Sequence, residues 1–328
     1  MSQGKSGAAL ATALLSIAIS TAPAWADDDI GTEIVDAFEK VYGVHPGFRA
    51  NHAKGIVTEG SFKATPDAAA LSVSPLFSGA SIPVTVRFSD SGGFPDVPDG
   101  SEGANPHGIS IKFKLPNGDE SDIVSNSLKF FPVSTGEEFR DLQLAVAASP
   151  PSAPKPTKLD AFLQAHPTVG AALATLGIPD SFADEEYYGV DAFIFVDKAG
   201  KRQPFRYIIT PEHVVHIAPA EAAKKPPNYL MDEIATRLKS GPVTFRLRAQ
   251  LAQPGDPTND ATKAWPADRK VAELGTLTLD RVVADSDAVQ KQLLFLPGNL
   301  TDGIEPSDDP LIDVRDAAYP VSFARRNQ

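Results

Sequence analysis

The chain has 328 residues, 42% of them hydrophobic and 22% charged, and these proportions exclude a fibrous or largely disordered protein. It contains no cysteine, which excludes disulfides, thiolate nucleophiles, iron–sulfur clusters and thiolate-ligated haem. A net charge of -12, without any dense run of Lys or Arg, argues against nucleic-acid and anionic-membrane partners.

The first 26 residues have the layout of a cleaved secretory signal. Lys5 precedes an apolar run of small residues from Ala8 to Ile19, and residues 24–26 form an A-x-A site ahead of three aspartates. We therefore expect residues 1–26 to be removed and residues 27–328 to form a single domain that is exported to the periplasm. An uncleaved N-terminal anchor is the alternative, although the apolar run is short for a bilayer span. After cleavage we expect no membrane contact.

The hydrophobic pattern of the remaining chain predicts an α+β domain. Apolar residues at helical spacing predict a short helix over Thr32–Tyr42. Strict alternation of apolar and polar residues then predicts antiparallel strands with one apolar face. About eight strands are predicted, a number that suits a closed barrel, at 52–60, 82–90, 108–115, 121–126, 192–196, 205–210, 243–251 and 273–283. Flanking helices are predicted at 137–147, 158–176, 229–239, 285–296 and 309–324.

The order of these elements argues against a nucleotide-binding fold. Strands and helices do not alternate strictly, and no glycine-rich phosphate loop is present. The segment 149–156 is rich in proline and has the composition of a domain linker. We interpret it as a surface loop instead, because strands of the same style resume beyond it.

Two groups of residues stand out as candidates for chemistry. His213 and His216 lie three residues apart beside Glu212, a spacing that would form a metal pair on a helix, but the apolar residues between and after them favour a strand. Near the C-terminal end, Arg315 and Tyr319 lie four residues apart on one face of a predicted helix. A fixed positive charge beside a tyrosine favours its phenolate, and phenolate is the ligand of haem iron in catalases.

Six collinear motifs between about residues 40 and 326 resemble the haem catalase family. They are Arg49-x-x-His52-Ala-Lys-Gly55, Pro83-Val-Thr-Val-Arg87-Phe-Ser89, Gly108-Ile-Ser-Ile-Lys112-Phe113, Asp122-Ile-Val-Ser-Asn126 followed by Phe130-Phe131, Thr262-Lys-Ala-Trp265-Pro266, and Arg315-x-x-x-Tyr319. The resemblance implies a catalase-like fold and heme b as cofactor. The chain looks shortened at both ends relative to typical catalases, and it is most similar to the small exported catalase-related peroxidases.

The resemblance also implies roles for individual residues. His52 becomes the distal acid/base, Asn126 the residue that orients the peroxide, and Ser89 the hydrogen-bond partner of the second imidazole nitrogen. Tyr319 becomes the iron ligand, with Arg315 as its charge partner. The remaining residues implied to bind the cofactor are Arg49 and Arg87 at the propionates, Phe130, Phe131 and Phe139 on the distal side, and either Arg325 or Arg326, of which we take Arg326. The residues that follow Tyr319 depart from the usual family pattern, which leaves the choice between these two arginines open.

The function implied is a haem peroxidase that reduces organic hydroperoxides and hydrogen peroxide with a small-molecule electron donor. Missing terminal elements should leave the haem edge open and subunit association weak, so we expect a monomer or weak homo-oligomer. The alternatives are a true catalase with the same residues and a non-catalytic haem- or lipid-binding exported protein.

Overall fold

The computed structural model describes Met1 and residues 29–328, so the predicted signal segment lies outside the described residues apart from Met1. Helices extend over α1 Ile30–Tyr42, α2 Ala68–Leu71, α3 Gly136–Ala147, α4 Lys158–Ala165, α5 Pro167–Leu173, α6 Pro219–Ala222, α7 Tyr229–Ser240, α8 Ser286–Gln292 and α9 Pro310–Arg326. Strands extend over β1 Gly55–Ala64, β2 Ser81–Ser89, β3 Gly108–Lys114, β4 Glu120–Asn126, β5 Tyr187–Tyr188, β6 Phe193–Val196, β7 Arg202–Pro211, β8 Val243–Leu251, β9 Val271–Val282 and β10 Ile304–Pro306.

Eight of these strands close an antiparallel barrel. The pairing runs in the order β1, β2, β3, β4, β5, β7, β8, β9 and returns to β1. Strand β6 pairs with β7, and β10 pairs with β6. Both strands lie outside the closed barrel. The predicted eight-stranded barrel with flanking helices is therefore confirmed.

The sequence pattern predicts one strand of the barrel wrongly and misses another, β5. The segment predicted at 192–196 does form a strand, β6, but the eighth position in the ring belongs to the two-residue strand β5. Two residues are too few to show an alternating pattern, so β5 carries no signal of its own. The predicted helix at 158–176 is two helices, α4 and α5, which meet at His166 and Pro167. Proline lacks the backbone N–H that would continue α4, and its ring restricts the residue before it.

The barrel interior is the main hydrophobic core. Val84, Val86 and Phe88 of β2 point inward and are at most 2% exposed, and alternate residues of β3 do the same. The outward residues of β2, β3 and β4 face helices α1, α3 and α9, which pack on one another. One side of the barrel thus carries a second layer, and the space between the layers holds the candidate site.

The proline-rich segment 149–156 forms a loop that joins α3 to α4. Among the described residues, no helix combines the length and the hydropathy that a membrane crossing requires.

We expect Phe62→Ala to lower the free energy of unfolding by about 3–5 kcal/mol, because it leaves a cavity in the barrel core. The Phe62 side chain is fully buried, and its ring packs edge-on against Phe113 with centroids 5.3 Å apart. Chemical denaturation measures the effect, with Val271→Ala as the control. Val271 is 44% exposed, so its truncation should change stability by less than about 0.5 kcal/mol. Equal losses in the two variants would contradict the assignment of the core.

Candidate functional site

A cavity between the barrel and the helical layer gathers nearly all the predicted site residues. About 1260 Å³ of space there is free of protein atoms, including its opening to solvent. The predicted residues that line the cavity are Arg49, His52, Arg87, Ser89, Asn126, Phe131, Phe139, Arg315, Tyr319 and Arg326.

Phe130 is not among the side chains that line the cavity, so its place on the distal side stays a prediction. Phe131 does line it and packs against Phe139, with ring centroids 5.2 Å apart. The two phenylalanines are neighbours in an irregular bend, held by a hydrogen bond from the Phe131 N–H to the Ala261 carbonyl. Successive side chains in such a segment point to different sides, so only one of the pair reaches the cavity.

The strand wall of the cavity is built on one row of paired residues. Ser89 of β2 faces Gly108 of β3, and Gly108 faces Asn126 of β4. Residues paired in this way present their side chains on the same face of a sheet. The glycine leaves room for the His52 ring, because a Cβ atom at Gly108 would lie 2.8 Å from the Ser89 Oγ and 3.2 Å from the imidazole. The row therefore places His52 over Gly108, between a hydroxyl and an amide.

His52 is held as a neutral imidazole. Its Nδ1 lies 3.1 Å from the Ser89 Oγ, which leaves Nε2 to face the cavity. The backbone adopts a left-handed φ of 55°, and the guanidinium of Arg87 donates to the His52 carbonyl at 2.8 Å. Burial, followed by the positive charge of Arg87, lowers the pKa of His52 to about 4. At neutral pH the ring is thus ready to accept a proton.

The side chain of Asn126 is oriented by its own turn. Its Oδ1 accepts a hydrogen bond from the Leu128 N–H at 2.8 Å. The amide oxygen is thereby occupied, and the NH₂ group is the end left to serve the cavity. The NH₂ group of Asn126 can therefore donate a hydrogen bond to a ligand beside His52.

A buried ionic cluster anchors the segment that carries His52. On the side of the sheet away from the cavity, His107 Nδ1 lies 3.1 Å from Asp90 Oδ1, and Lys54 pairs with Asp99. The other carboxylate oxygen of Asp99 accepts from the Leu230 N–H, in the first turn of α7, at 2.7 Å. Burial, and then the charge of Asp90, raise the pKa of Asp99 to about 7. Sequence patterns do not indicate this cluster, because its members are far apart along the chain.

Three arginines crowd one end of the cavity. The Arg49 and Arg326 guanidinium groups both donate to the Leu293 carbonyl, at 2.7 and 2.6 Å, while Arg87 donates to Gln290 at 3.0 Å. Within residues 29–328, their hydrogen-bond partners are carbonyl and amide oxygens rather than carboxylates. Burial lowers the pKa of Arg326 to about 10, and burial with the charge of Arg326 lowers the pKa of Arg87 to about 9. Such a cluster favours an anionic ligand.

The rotation of α9 about its own axis decides which of Arg325 and Arg326 faces the cavity. Arg326 lines the cavity, whereas Arg325 turns to α1 and pairs with Asp36 at 2.6 Å and Glu39 at 2.7 Å. Successive helical residues point about 100° apart, so two adjacent arginines cannot serve the same cavity equally. Arg325 fastens the two helices together and Arg326 faces the site.

The helix wall of the cavity presents Tyr319. The Nε of Arg315, one helical turn earlier, donates to the Tyr319 hydroxyl oxygen at 2.9 Å. Arg315 is itself paired with the buried carboxylate of Asp191 and donates to the Val124 carbonyl at 3.2 Å. Burial alone would lower the pKa of Arg315, but the charges of Asp191 and Tyr319 outweigh it and raise that pKa. A permanently charged guanidinium thus lies against the phenol oxygen.

These features fit a haem group. The phenol oxygen supported by Arg315 is the type of iron ligand found in catalases. Apolar side chains, among them Val35, Val124 and Leu311, also line the cavity. The arginine end, which lacks carboxylate partners within residues 29–328, suits the two propionates.

His213 and His216 lie outside this cavity. His216 Nε2 is 3.2 Å from the buried carboxylate of Glu185, and His213 is exposed in the same loop. The predicted strand there is reduced to a single bridge between His216 and Pro179.

Sequence comparisons place these observations among known proteins. The catalase family profile matches residues 31–327. A catalase-related peroxidase of Synechococcus elongatus is 35% identical over 325 residues, which cover 98% of this chain and 95% of the relative. A catalase-related peroxidase of Mycolicibacterium paratuberculosis is 36% identical over 299 residues, or 90% and 94% of the two chains. A Vibrio vulnificus catalase is 29% identical, and the match covers 83% of this chain but 56% of that enzyme.

Structural comparison supports the same fold. A fungal catalase crystal structure matches 85% of this chain and 59% of its own, with a TM-score of 0.76 and 22% identity. A bacterial catalase structure matches with a TM-score of 0.73 and 23% identity, over 85% and 57% of the two chains. The chain therefore has the catalase fold in a shorter form than these structures.

We expect Tyr319→Phe to weaken haem binding and to change the visible spectrum of any haem that remains, because the phenol oxygen is removed. Haem titration followed by absorbance measures both effects. Tyr207→Phe is the matched control, since Tyr207 is buried in the barrel core and removed from the cavity. A wild-type spectrum for Tyr319→Phe would contradict the assignment of the ligand.

Proposed function

Because this chain belongs to the catalase family, we propose that it is a haem-dependent peroxidase that reduces organic hydroperoxides and hydrogen peroxide with an external electron donor. The observation that carries the proposal is the pairing of two opposed walls. One wall presents a neutral His52 beside Asn126, and the other presents Tyr319 with its guanidinium partner. This arrangement provides a proton acceptor and an anionic ligand within one cavity.

The cofactor of the proposal is heme b, held by the residues already described. Tyr319 would ligate the iron, Arg49, Arg87 and Arg326 would bind the propionates, and Phe131 and Phe139 belong to the apolar lining. When bound, the haem supplies the oxidation and reduction chemistry that splits the peroxide O–O bond. The remaining steps belong to the side chains of the chain itself.

His52 moves the proton of the peroxide. In the proposal, Nε2 takes the proton from one peroxide oxygen and returns it to the other, so that the leaving alcohol or water is neutral. Ser89 keeps Nδ1 engaged in a hydrogen bond and thereby fixes the orientation of the ring. The NH₂ group of Asn126 donates to a peroxide oxygen and aligns the substrate for both transfers. The low pKa of His52 keeps it able to accept the proton throughout the neutral range.

Peroxidase activity is favoured over catalase activity by the shortened scaffold. The chain covers 94–95% of two catalase-related peroxidases but 56% of the Vibrio enzyme. In the proposal, a cofactor edge that is less covered than in the full-length enzyme admits larger hydroperoxides and donors. A true catalase with the same residues is the alternative.

The proposal extends to location and assembly. The layout of residues 1–26 supports export to the periplasm by a cleaved signal. The shortened scaffold supports a monomer or weak homo-oligomer, with a peroxide and a small-molecule donor as its partners.

An oxygen electrode distinguishes the peroxidase from the catalase. We expect the haem-loaded protein to consume hydrogen peroxide at a rate that depends on an added donor, with little dioxygen released, because the electrons come from the donor. Release of one dioxygen for every two peroxides, unaffected by the donor, would establish the catalase instead.

The pH profile tests the role of His52. We expect kcat/KM for a hydroperoxide to stay nearly constant from pH 7 to 5 and to fall as the pH drops through about 4, because protonated His52 cannot accept the substrate proton. We expect His52→Gln to lower kcat/KM by about 10²–10⁴-fold and to abolish that acidic limb. His213→Gln, which changes an exposed histidine, is the control and should leave the profile unchanged. An acidic midpoint near 6.5 in the wild type would show that a histidine of ordinary pKa controls the rate.

A further inference from the structure

A row of aromatic rings runs from the cavity to the surface along α1. Phe38 lines the cavity and is 7% exposed. Its ring stacks on that of Tyr42, one helical turn later, with centroids 6.2 Å apart and ring planes 25° apart. Phe94 then packs edge-on against Tyr42 at 5.1 Å and is 43% exposed. The row therefore joins a ring inside the cavity to a ring in contact with solvent.

The inner end of the row is part of the cavity wall. Phe38 packs edge-on against Phe139 with centroids 5.7 Å apart, and Phe139 packs against Phe131 at 5.2 Å. All three phenylalanines line the cavity. A cofactor that fills the cavity would therefore meet the inner end of the row.

The surroundings of Tyr42 hold its ring in place. Tyr42 is the last residue of α1 and is partly exposed. A Cβ atom at Gly93 would lie 2.8 Å from the Cβ of Tyr42 and 2.9 Å from its Cγ, so the absence of a side chain lets this segment approach closely. The next residue, Phe94, is thereby placed against the edge of the ring. Burial raises the pKa of Tyr42, so the phenol keeps its proton at neutral pH.

Tyr42 is the readily oxidised member of the row. A phenol loses an electron more easily than the ring of a phenylalanine does, provided that its hydroxyl proton leaves as well. Within residues 29–328, Tyr42 is, besides Tyr319, the tyrosine whose ring packs on a ring that lines the cavity. Tyr187, Tyr207 and Tyr229 belong to the barrel core instead. The partial exposure of Tyr42 allows its proton to pass to solvent.

We propose that Tyr42 passes electrons to the oxidised haem site from aromatic donors that are too bulky to enter the cavity. The inference rests on the proposed peroxidase function and names the residue at which such donors react. In each of two steps, Tyr42 gives one electron to the oxidised site and its hydroxyl proton to solvent. The donor then gives one electron back to Tyr42, and solvent returns the proton. Two donors leave oxidised by one electron each, two protons are taken up from solvent, and the hydroperoxide becomes an alcohol and water, so atoms and electrons balance.

The test compares two donors on the haem-loaded protein, the bulky ABTS, which gives electrons only, and the small hydroquinone, which carries its own protons. In Tyr42→Phe, which keeps the ring and its packing, we expect kcat for ABTS to fall by roughly tenfold or more, because the oxidisable hydroxyl is lost. Hydroquinone should keep its wild-type kcat, and the hydroperoxide its wild-type KM. Tyr229→Phe is the matched control, since Tyr229 lies in the core outside the row, and it should leave both rates unchanged.

Freeze-quench electron paramagnetic resonance gives a second readout, which does not depend on turnover. After the protein is mixed with hydroperoxide alone, we expect the wild type and Tyr229→Phe to show a tyrosyl radical signal that narrows when the tyrosines are ring-deuterated. Tyr42→Phe should lack this signal. No tyrosyl signal in the wild type, the same signal in Tyr42→Phe, or an unchanged ABTS rate in Tyr42→Phe would overturn the proposal. If neither donor supports reduction of the hydroperoxide, the peroxidase function fails, whereas a signal lost only in Tyr42→Phe still identifies Tyr42 as the oxidised residue.

Discussion

The pairing register of β2, β3 and β4 is the constraint on which the site depends. Side chains alternate between the two faces of a strand, so a slip of one residue would turn Ser89 and Asn126 into the barrel core and bring Phe88 to the cavity. The apolar residues of β2 and β3 fix the register from inside the barrel, where they are almost completely buried. The polar groups that hold His52 are thus positioned by hydrophobic packing on the opposite face of the same strands.

The two walls of the cavity create opposite electrostatic environments within one space. On the strand wall, burial and the charge of Arg87 keep the imidazole of His52 uncharged. On the helix wall, Asp191 holds a charged guanidinium against the phenol oxygen of Tyr319. An uncharged base on one wall and a cation beside a phenol oxygen on the other are what the proposed peroxide chemistry would use. Separate secondary structure elements let each state be set without disturbing the other.

Sequence patterns predict those parts of the molecule that repeat or stand in a motif. Apolar and polar residues alternate over seven or more residues in β2, β3 and β8, so this alternation alone predicts where the strands lie. The site residues follow from a family resemblance, since Ser89 and Asn126 look like ordinary strand residues by themselves. Pro167 is a local signal for the break between α4 and α5, but the apolar spacing on both sides of it favours one continuous helix.

Other features of the site could not be predicted because they arise from tertiary structure. Arg325 and Arg326 are identical neighbours, and only the rotation of α9 against α1 distinguishes them. Asp191 and Gln290 each hold a site arginine, yet neither has a local signal, since their partners lie 124 and 203 residues away along the chain. A bend, rather than any pattern, separates Phe131 from Phe130.

The contacts that close the cavity have a consequence for the order of folding. Arg49 reaches Leu293 across 244 residues, Ala50 reaches Ser322 across 272, and Arg325 reaches Asp36 across 289. Contacts of such high sequence separation carry the largest loop-closure entropy and form late unless earlier structure brings the segments together. The hairpins β1–β2, β2–β3 and β3–β4 pair neighbouring segments, whereas β1 and β9, which close the barrel, come from distant parts of the chain. Closure of the barrel and closure of the cavity therefore depend on the same meeting of distant segments.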